Sequence, residues 1–264
     1  MRKALVCGVL LTLASTDAAA QKTTSSWFYG ADPHVPLATV RNGKIHQAVP
    51  TADRGSRCGD TRRWAAVGSK WHALDAWGQI LATTTVSSLD PYDVTACAEV
   101  SFAPHTRITH DDRRVFVSAD SAWKPAPSVE WHPTATERAS FEALVATALP
   151  ARERVTSHCS SLATTTAYFD GRWAVAAKQG GWVVASRAPG RRPWKTVSIH
   201  REKVTRAFGG MCFRPVAIFD MDGDGVPEII LRSSEGASWG DEILKRGRDG
   251  LWRSVASSPG GATA

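Results

Sequence analysis

Short apolar runs broken every few residues by turn signals leave this chain few folds to choose from. Asn42-Gly43 separates Leu37-Ala38-Thr39-Val40 from Ile45-His46-Gln47-Ala48, and Asn-Gly tolerates the positive φ angles that a tight hairpin requires. Asp170-Gly171 and Gly180-Gly181 repeat the device around Trp173 to Ala177 and Trp182 to Ser186, and Gly247-Arg248-Asp249-Gly250 separates Glu242 to Lys245 from Leu251 to Val255. The runs are rich in Val, Ile, Trp and Thr, which suit a pleated, half-buried surface. Successive hairpins of this kind predict a mainly β protein built as an antiparallel meander.

One segment breaks the rhythm. Thr134 with Glu137 three residues later has the form of a capping box, and Phe141, Leu144, Val145 and Ala148 follow at helical spacing. The pattern predicts one short helix over about 135–149, with Pro150 at its end. Pro125, Pro127 and Pro133 make the preceding stretch read as a linker. Arg63-Trp64-Ala65-Ala66-Val67 followed by Trp71 is echoed weakly by Arg172-Trp173-Ala174-Val175-Ala176 followed by Trp182.

The first twenty residues read as an export signal. Arg2 and Lys3 are followed by an apolar run from Ala4 to Leu13 and by Ala18-Ala19-Ala20, a small-residue cleavage site. That run is too short to span a bilayer, which needs roughly 20 apolar residues. The expected organisation is a signal peptide over 1–20, an N-terminal β-rich region over 21–133, a helix and linker over 134–150, and a C-terminal β-rich region over 151–264. The expected compartment is periplasmic or extracellular, without a transmembrane segment.

Four cysteines follow the signal, Cys58, Cys97, Cys159 and Cys212. An even count in an exported chain favours two disulfides. Three pairings are possible; Cys58 with Cys97 and Cys159 with Cys212 would each staple one half of the chain. The net charge of +7 falls to +6 when Arg2, Lys3 and Asp17 are removed. No block of like charge concentrates the excess, and no nucleic-acid reading element accompanies it, so nucleic acid is not an expected partner.

Chemistry concentrates in Asp220-Met221-Asp222-Gly223-Asp224-Gly225-Val226-Pro227-Glu228, with acids at positions one, three, five and nine. Calcium takes six to eight oxygens at about 2.3–2.6 Å, so short acidic side chains must converge while the backbone turns sharply. Gly223 and Gly225 permit the turn, and Val226 at position seven supplies a backbone oxygen. An EF-hand needs a bidentate Glu at position twelve, where this chain has Leu231. The flanks are Pro215-Val216-Ala217-Ile218-Phe219 and Ile229-Ile230-Leu231, so the loop joins two strands. Four acids in nine residues repel one another unless a cation holds them.

Over about residues 214–252 these features resemble one FG-GAP, or integrin-type β-propeller, repeat, whose calcium loop carries acids at the same four positions between two strands. The resemblance implies a propeller-like arrangement and a structural calcium ion on Asp220, Asp222, Asp224, Val226 and Glu228. It also implies ligand recognition by other loops, at the rim of the propeller.

Other candidates are weaker. The chain has no H-E-x-x-H helix and no phosphate-cradling G-x-x-x-x-G-K-[ST] loop. His105 with His110-Asp111-Asp112 matches no known ligand spacing, and Cys159 beside His158 is expected to be bonded. Most of the eleven tryptophans are expected in the core, with one or two on a binding surface. The expected function is an exported, calcium-stabilised binding or surface-interaction protein for a protein or carbohydrate ligand. The alternative is an extracellular or periplasmic hydrolase with calcium as a structural ion.

Overall fold

The computed structural model describes residues 26–29, 36–48, 65–91, 98–105, 115–119, 126–149, 159, 164–188, 193–202, 210–235, 238–258 and 261–262. The described residues form antiparallel sheets and one helix, the mainly β architecture that the turn spacing predicts. The first sheet contains β1 (Ser26–Tyr29), β2 (Pro36–Arg41), β3 (Lys44–Gln47), β4 (Lys70–Leu74), β5 (Ile80–Pro91), β6 (Ala98–Phe102) and β7 (Val115–Ser118), in the order β3-β2-β1-β7-β4-β5-β6. After the two-residue β8 (Ala126–Pro127) comes the helix α1 (Ala135–Ala148). The second sheet contains β9 (Thr165–Phe169), β10 (Trp173–Lys178), β11 (Gly181–Ser186) and β12 (Lys195–Arg201) in sequential order. The third contains β13 (Cys212–Asp220), β14 (Glu228–Glu235), β15 (Ser238–Arg246) and β16 (Trp252–Ser257), with β8 beside β13 and β17 (Gly261–Ala262) beside β15.

The third sheet lies between the other two. On one face Ala217, Phe219, Ile230, Ile243 and Ala256 pack against Leu37, Val40, Leu74, Val115 and Val117 of the first sheet. On the other face Phe213, Ile218, Ile229, Leu231, Leu244 and Trp252 pack against Phe169, Trp173, Val175, Trp182 and Val184 of the second. The side-chain alternation along β14 and β15 is what divides these sets, since successive residues of a strand point to opposite faces. Covered on both sides, β13 and β14 read as near-continuous apolar runs rather than alternating ones, and residues 215–220 and 228–232 are all buried.

The helix covers the far face of the second sheet, where Phe141, Val145 and Ala148 meet Ala174, Ala176, Val183 and Ala185. Both halves of the capping box form: Glu137 N–H donates to Thr134 Oγ1, and Thr134 N–H donates to Glu137 Oε2 at 2.8 Å. The helix is docked further by Trp194 Nε1, which donates to the Glu137 carbonyl at 2.9 Å, and by Arg201 Nε, which donates to the Ala148 carbonyl at 2.8 Å.

The turns fall where expected, with one shift. Asn42 and Gly43 adopt φ 51° and 65°, and Asp170 and Gly171 adopt φ 51° and 64°, the left-handed pair that closes a two-residue hairpin. Between β10 and β11, however, Lys178 faces Gly181, so the turn is Gln179-Gly180 and not Gly180-Gly181. Gly181 belongs to the strand because a Cβ there would lie 2.2 Å from the His200 carbonyl oxygen. Its lack of a side chain serves the approach of β12, not the turn.

Two covalent or ionic ties cross the C-terminal half. Cys159 and Cys212 form a disulfide with Cα atoms 5.7 Å apart, the second of the two pairings that would staple each half. Cys58 and Cys97 lie outside the described residues, as do residues 1–20, expected from the sequence to be a signal peptide. Arg232 and Asp241 face each other across β14 and β15 and join through two parallel hydrogen bonds of 2.8 and 2.9 Å. The guanidinium also lies 4.6 Å from the Trp239 ring centroid. No helix among the described residues is long and apolar enough to cross a membrane.

Opening the Cys159–Cys212 link, which spans 53 residues of sequence, is expected to cost about 4 kcal/mol by the loop-closure relation. A Cys159→Ser, Cys212→Ser double variant should therefore melt well below the oxidised parent, and reductant should lower the parent alone. Removing Asp241 takes away the carboxylate that accepts two hydrogen bonds from the buried Arg232 guanidinium, and breaking a buried ion pair costs about 3–5 kcal/mol. Asp241→Ala should accordingly lower the denaturation midpoint far more than Asp249→Ala, which breaks the exposed pair with Arg253; equal effects would refute the ranking.

Candidate metal centre

The acidic loop is the turn between β13 and β14, the innermost hairpin of the stack. Gly223 and Gly225 take φ 78° and 80°, reversing the chain within residues 221–226. Asp220 sets the shape of the loop. Its Oδ1 accepts from the N–H of Gly223 at 2.7 Å and of Asp224 at 3.2 Å, and its Oδ2 accepts from the N–H of Gly225 at 2.8 Å. Asp224 Oδ1 accepts from the Val226 N–H at 2.9 Å. Glu228 Oε2 accepts from the Met221 N–H at 2.7 Å, tying the two ends of the loop together.

These bonds bring Asp220, Asp222 and Asp224 together, with one carboxylate oxygen of each within 4.8 Å of the others. Asp220, Asp222 and Glu228 are buried. Among the described residues a single ammonium stands among the acids: Lys245 Nζ donates to Asp222 Oδ2 at 2.6 Å, to Asp224 Oδ2 at 2.7 Å and to Glu228 Oε1 at 2.8 Å. It comes from β15, whose pairing of Leu244 with Ile229 sets Lys245 beside Glu228.

The donor set suits a hard cation. All the side-chain ligands are carboxylate oxygens, the type that calcium and magnesium take. Fully ionised, four carboxylates carry four negative charges against the one positive charge of Lys245. Moreover Asp222 Oδ1 is buried with no hydrogen-bond partner among the described residues, and an orphaned buried acceptor is costly unless something meets it. The residues present therefore fit an oxygen-seeking cation; Val226 stands on the same turn, where its carbonyl would add an oxygen.

The electrostatics follow from burial. Burial pushes the Glu228 carboxyl up to about 8, against the opposing pull of the Lys245 ammonium and the Met221 N–H. Asp222 is raised for the same reason, again opposed by Lys245. Burial works against the Lys245 charge, but hydrogen bonds to Asp222, Asp224 and Glu228 outweigh it and hold the ammonium well above its ordinary value.

Comparison with protein-family models, curated proteins and solved structures finds no match to this chain. The acids of the loop are thus read on their own geometry. Of the other sequence candidates, Cys159 is bonded to Cys212 and so is no reactive thiol. His105 is half-buried, while His110, Asp111, Asp112 and His158 lie outside the described residues. Trp71, Trp173, Trp182, Trp194 and Trp252 are buried in the core. Lys245 was not legible as a member of the site: it stands seventeen positions after Glu228, and only the register of β14 with β15 brings them together.

A carboxyl whose pKa is raised by folding binds its proton more tightly in the native chain than in the unfolded one, so stability declines as pH rises between the two values. For Glu228 that window runs from about 4.5 to about 8. With chelator present, melting temperature should fall across it, and Glu228→Gln should flatten the slope. A slope unchanged by the substitution would remove Glu228 as its source.

Proposed function

We propose that this chain is an exported binding or surface-interaction protein in which calcium, held by Asp220, Asp222, Asp224, the Val226 carbonyl and Glu228, is a structural ion. The observation that carries the reading is the convergence of the three aspartates at the turn of the central hairpin, where Asp222 Oδ1 is buried with no hydrogen-bond partner among the described residues. When bound, the ion would supply the positive charge that those carboxylates lack. The chain's own residues do the rest: Asp220 folds the loop around itself, and Glu228 ties the loop's ends. A cation at such a place steadies the middle sheet rather than presenting a reacting centre.

The propeller-like reading, with one FG-GAP-type repeat over about 214–252, draws support from the face-to-face stacking of three antiparallel sheets. Export draws support from the Cys159–Cys212 disulfide, since such bonds persist in oxidising compartments. A binding role draws support from a cavity of about 180 Å³ lined by Trp77, Trp131 and Tyr168 with Glu130, His132 and Arg138. Aromatic faces beside a few polar groups suit a carbohydrate or a peptide side chain.

Melting in excess calcium and then in chelator tests the reading. At a hundredfold excess over Kd, binding to the native state alone adds about 2.7 kcal/mol, roughly 5–10 °C for a chain of this size. Asp222→Ala and Asp224→Ala should each abolish that gain. A gain that survives in either variant would place the ion elsewhere, and no gain in the parent would remove calcium from the account.

A further inference from the structure

We propose that the Lys245 ammonium is the resident cation of the acidic loop in the calcium-free chain, and that calcium occupies the loop only by displacing it. This rests on the calcium reading above and adds to it what sets the affinity of the site.

An ammonium has three protons to donate, and Lys245 Nζ spends them on Asp222 Oδ2, Asp224 Oδ2 and Glu228 Oε1. Those three carboxylates come from the acid positions three, five and nine of the loop, so lysine and metal would draw on the same oxygens. A calcium ion lies about 2.3–2.6 Å from its oxygens, which leaves the two cations within a few ångströms of each other if they share them. Like charges at that separation repel, and the lysine is the one free to leave. Its side chain keeps 22 % of its surface exposed and hangs on a flexible four-carbon stem.

The substitution of ammonium for metal is also incomplete. Lys245 neutralises one of the charges in the cluster, and with its protons spent it leaves Asp222 Oδ1 buried without a partner, although the Asp222 side chain is only 2 % exposed. A buried acceptor on a member of the cluster, met by no hydrogen-bond donor among the described residues, points to a ligand with more positive charge and more coordination sites than one ammonium has. Asp220, by contrast, has both oxygens committed to backbone N–H groups and keeps the turn folded whichever cation is present. The loop is therefore built to be held by lysine and completed by metal.

The test is calcium titration by calorimetry, with melting in calcium and in chelator, on the full chain and on Lys245→Met. The variant should melt lower than the parent in chelator, bind calcium roughly tenfold more tightly, within the usual range of coupling between competing ligands, and gain more from calcium. Should it fail to fold in chelator, calcium chloride in the refolding buffer is expected to recover it. Equal affinities in parent and variant would overturn the displacement and leave the calcium site standing, as would a variant that calcium cannot recover while the parent still binds. No calcium binding by either protein would overturn both, leaving Lys245 as the loop's permanent counter-ion.

Discussion

Negative charge packed into the turn of a buried hairpin is the constraint on which the rest of the structure depends. β13 and β14 are covered by sheets on both faces, and although Asp224 at its tip is exposed, the loop that joins them holds Asp220, Asp222 and Glu228 away from bulk water. Its carboxylates have to be answered by the chain. Asp220 is answered by three backbone N–H groups and Glu228 by one. Lys245, reaching in from β15, answers Asp222, Asp224 and the second oxygen of Glu228. The first sheet also closes on this place, since a Cβ on Gly43, in the β2–β3 turn, would lie 3.5 Å from the Asp222 carbonyl oxygen. The acidic turn thus sits where the first and third sheets meet.

Local chemistry made much of this legible before any coordinates. Asn42-Gly43 and Asp170-Gly171 announce their hairpins because few other residue pairs accept two consecutive positive φ angles. Thr134 and Glu137 announce the helix because they satisfy one another's backbone. What local chemistry does not encode is which strands lie side by side. β7 inserts between β1 and β4, and the last sheet of the chain takes the middle of the stack; both depend on pairings distant in sequence. The turn misplaced by one residue at Gly180-Gly181 has the same origin. Two adjacent glycines look alike in sequence, and only the approach of His200 on a neighbouring strand distinguishes the one that turns from the one that makes room.

The candidate site was legible to a similar depth. Acids at Asp220, Asp222, Asp224 and Glu228 stand out because nothing but a cation or a dense set of donors reconciles their charges. Their division of labour does not stand out. Asp220 faces the loop's own backbone, Glu228 is buried and pulled both ways by desolvation and Lys245, and Asp222 keeps one oxygen unmatched. That division follows from where β15 lies.

Register makes the link between site and fold. On the face of the third sheet that meets the first, β14 and β15 present Arg232 opposite Asp241, Ile230 opposite Ile243, and Glu228 beside Lys245. An apolar pair in the shared core is therefore flanked on both sides by pairs of opposite charge. Sliding β15 by one residue would turn Asp241, Ile243 and Lys245 to the other face; in one direction Gly240 would come opposite Arg232 and Leu244 opposite Glu228, while in the other Glu242 and Arg246 would take the places of Asp241 and Lys245. A hydrophobic ladder alone tolerates such a slip where both faces are apolar, as they are here. The charges resist the first of these slips, because a buried ion that loses its partner costs far more than a mismatched methyl group. The register that pairs Arg232 with Asp241 thus also delivers Lys245 to the acidic loop, so the chemistry of the loop is a consequence of the register.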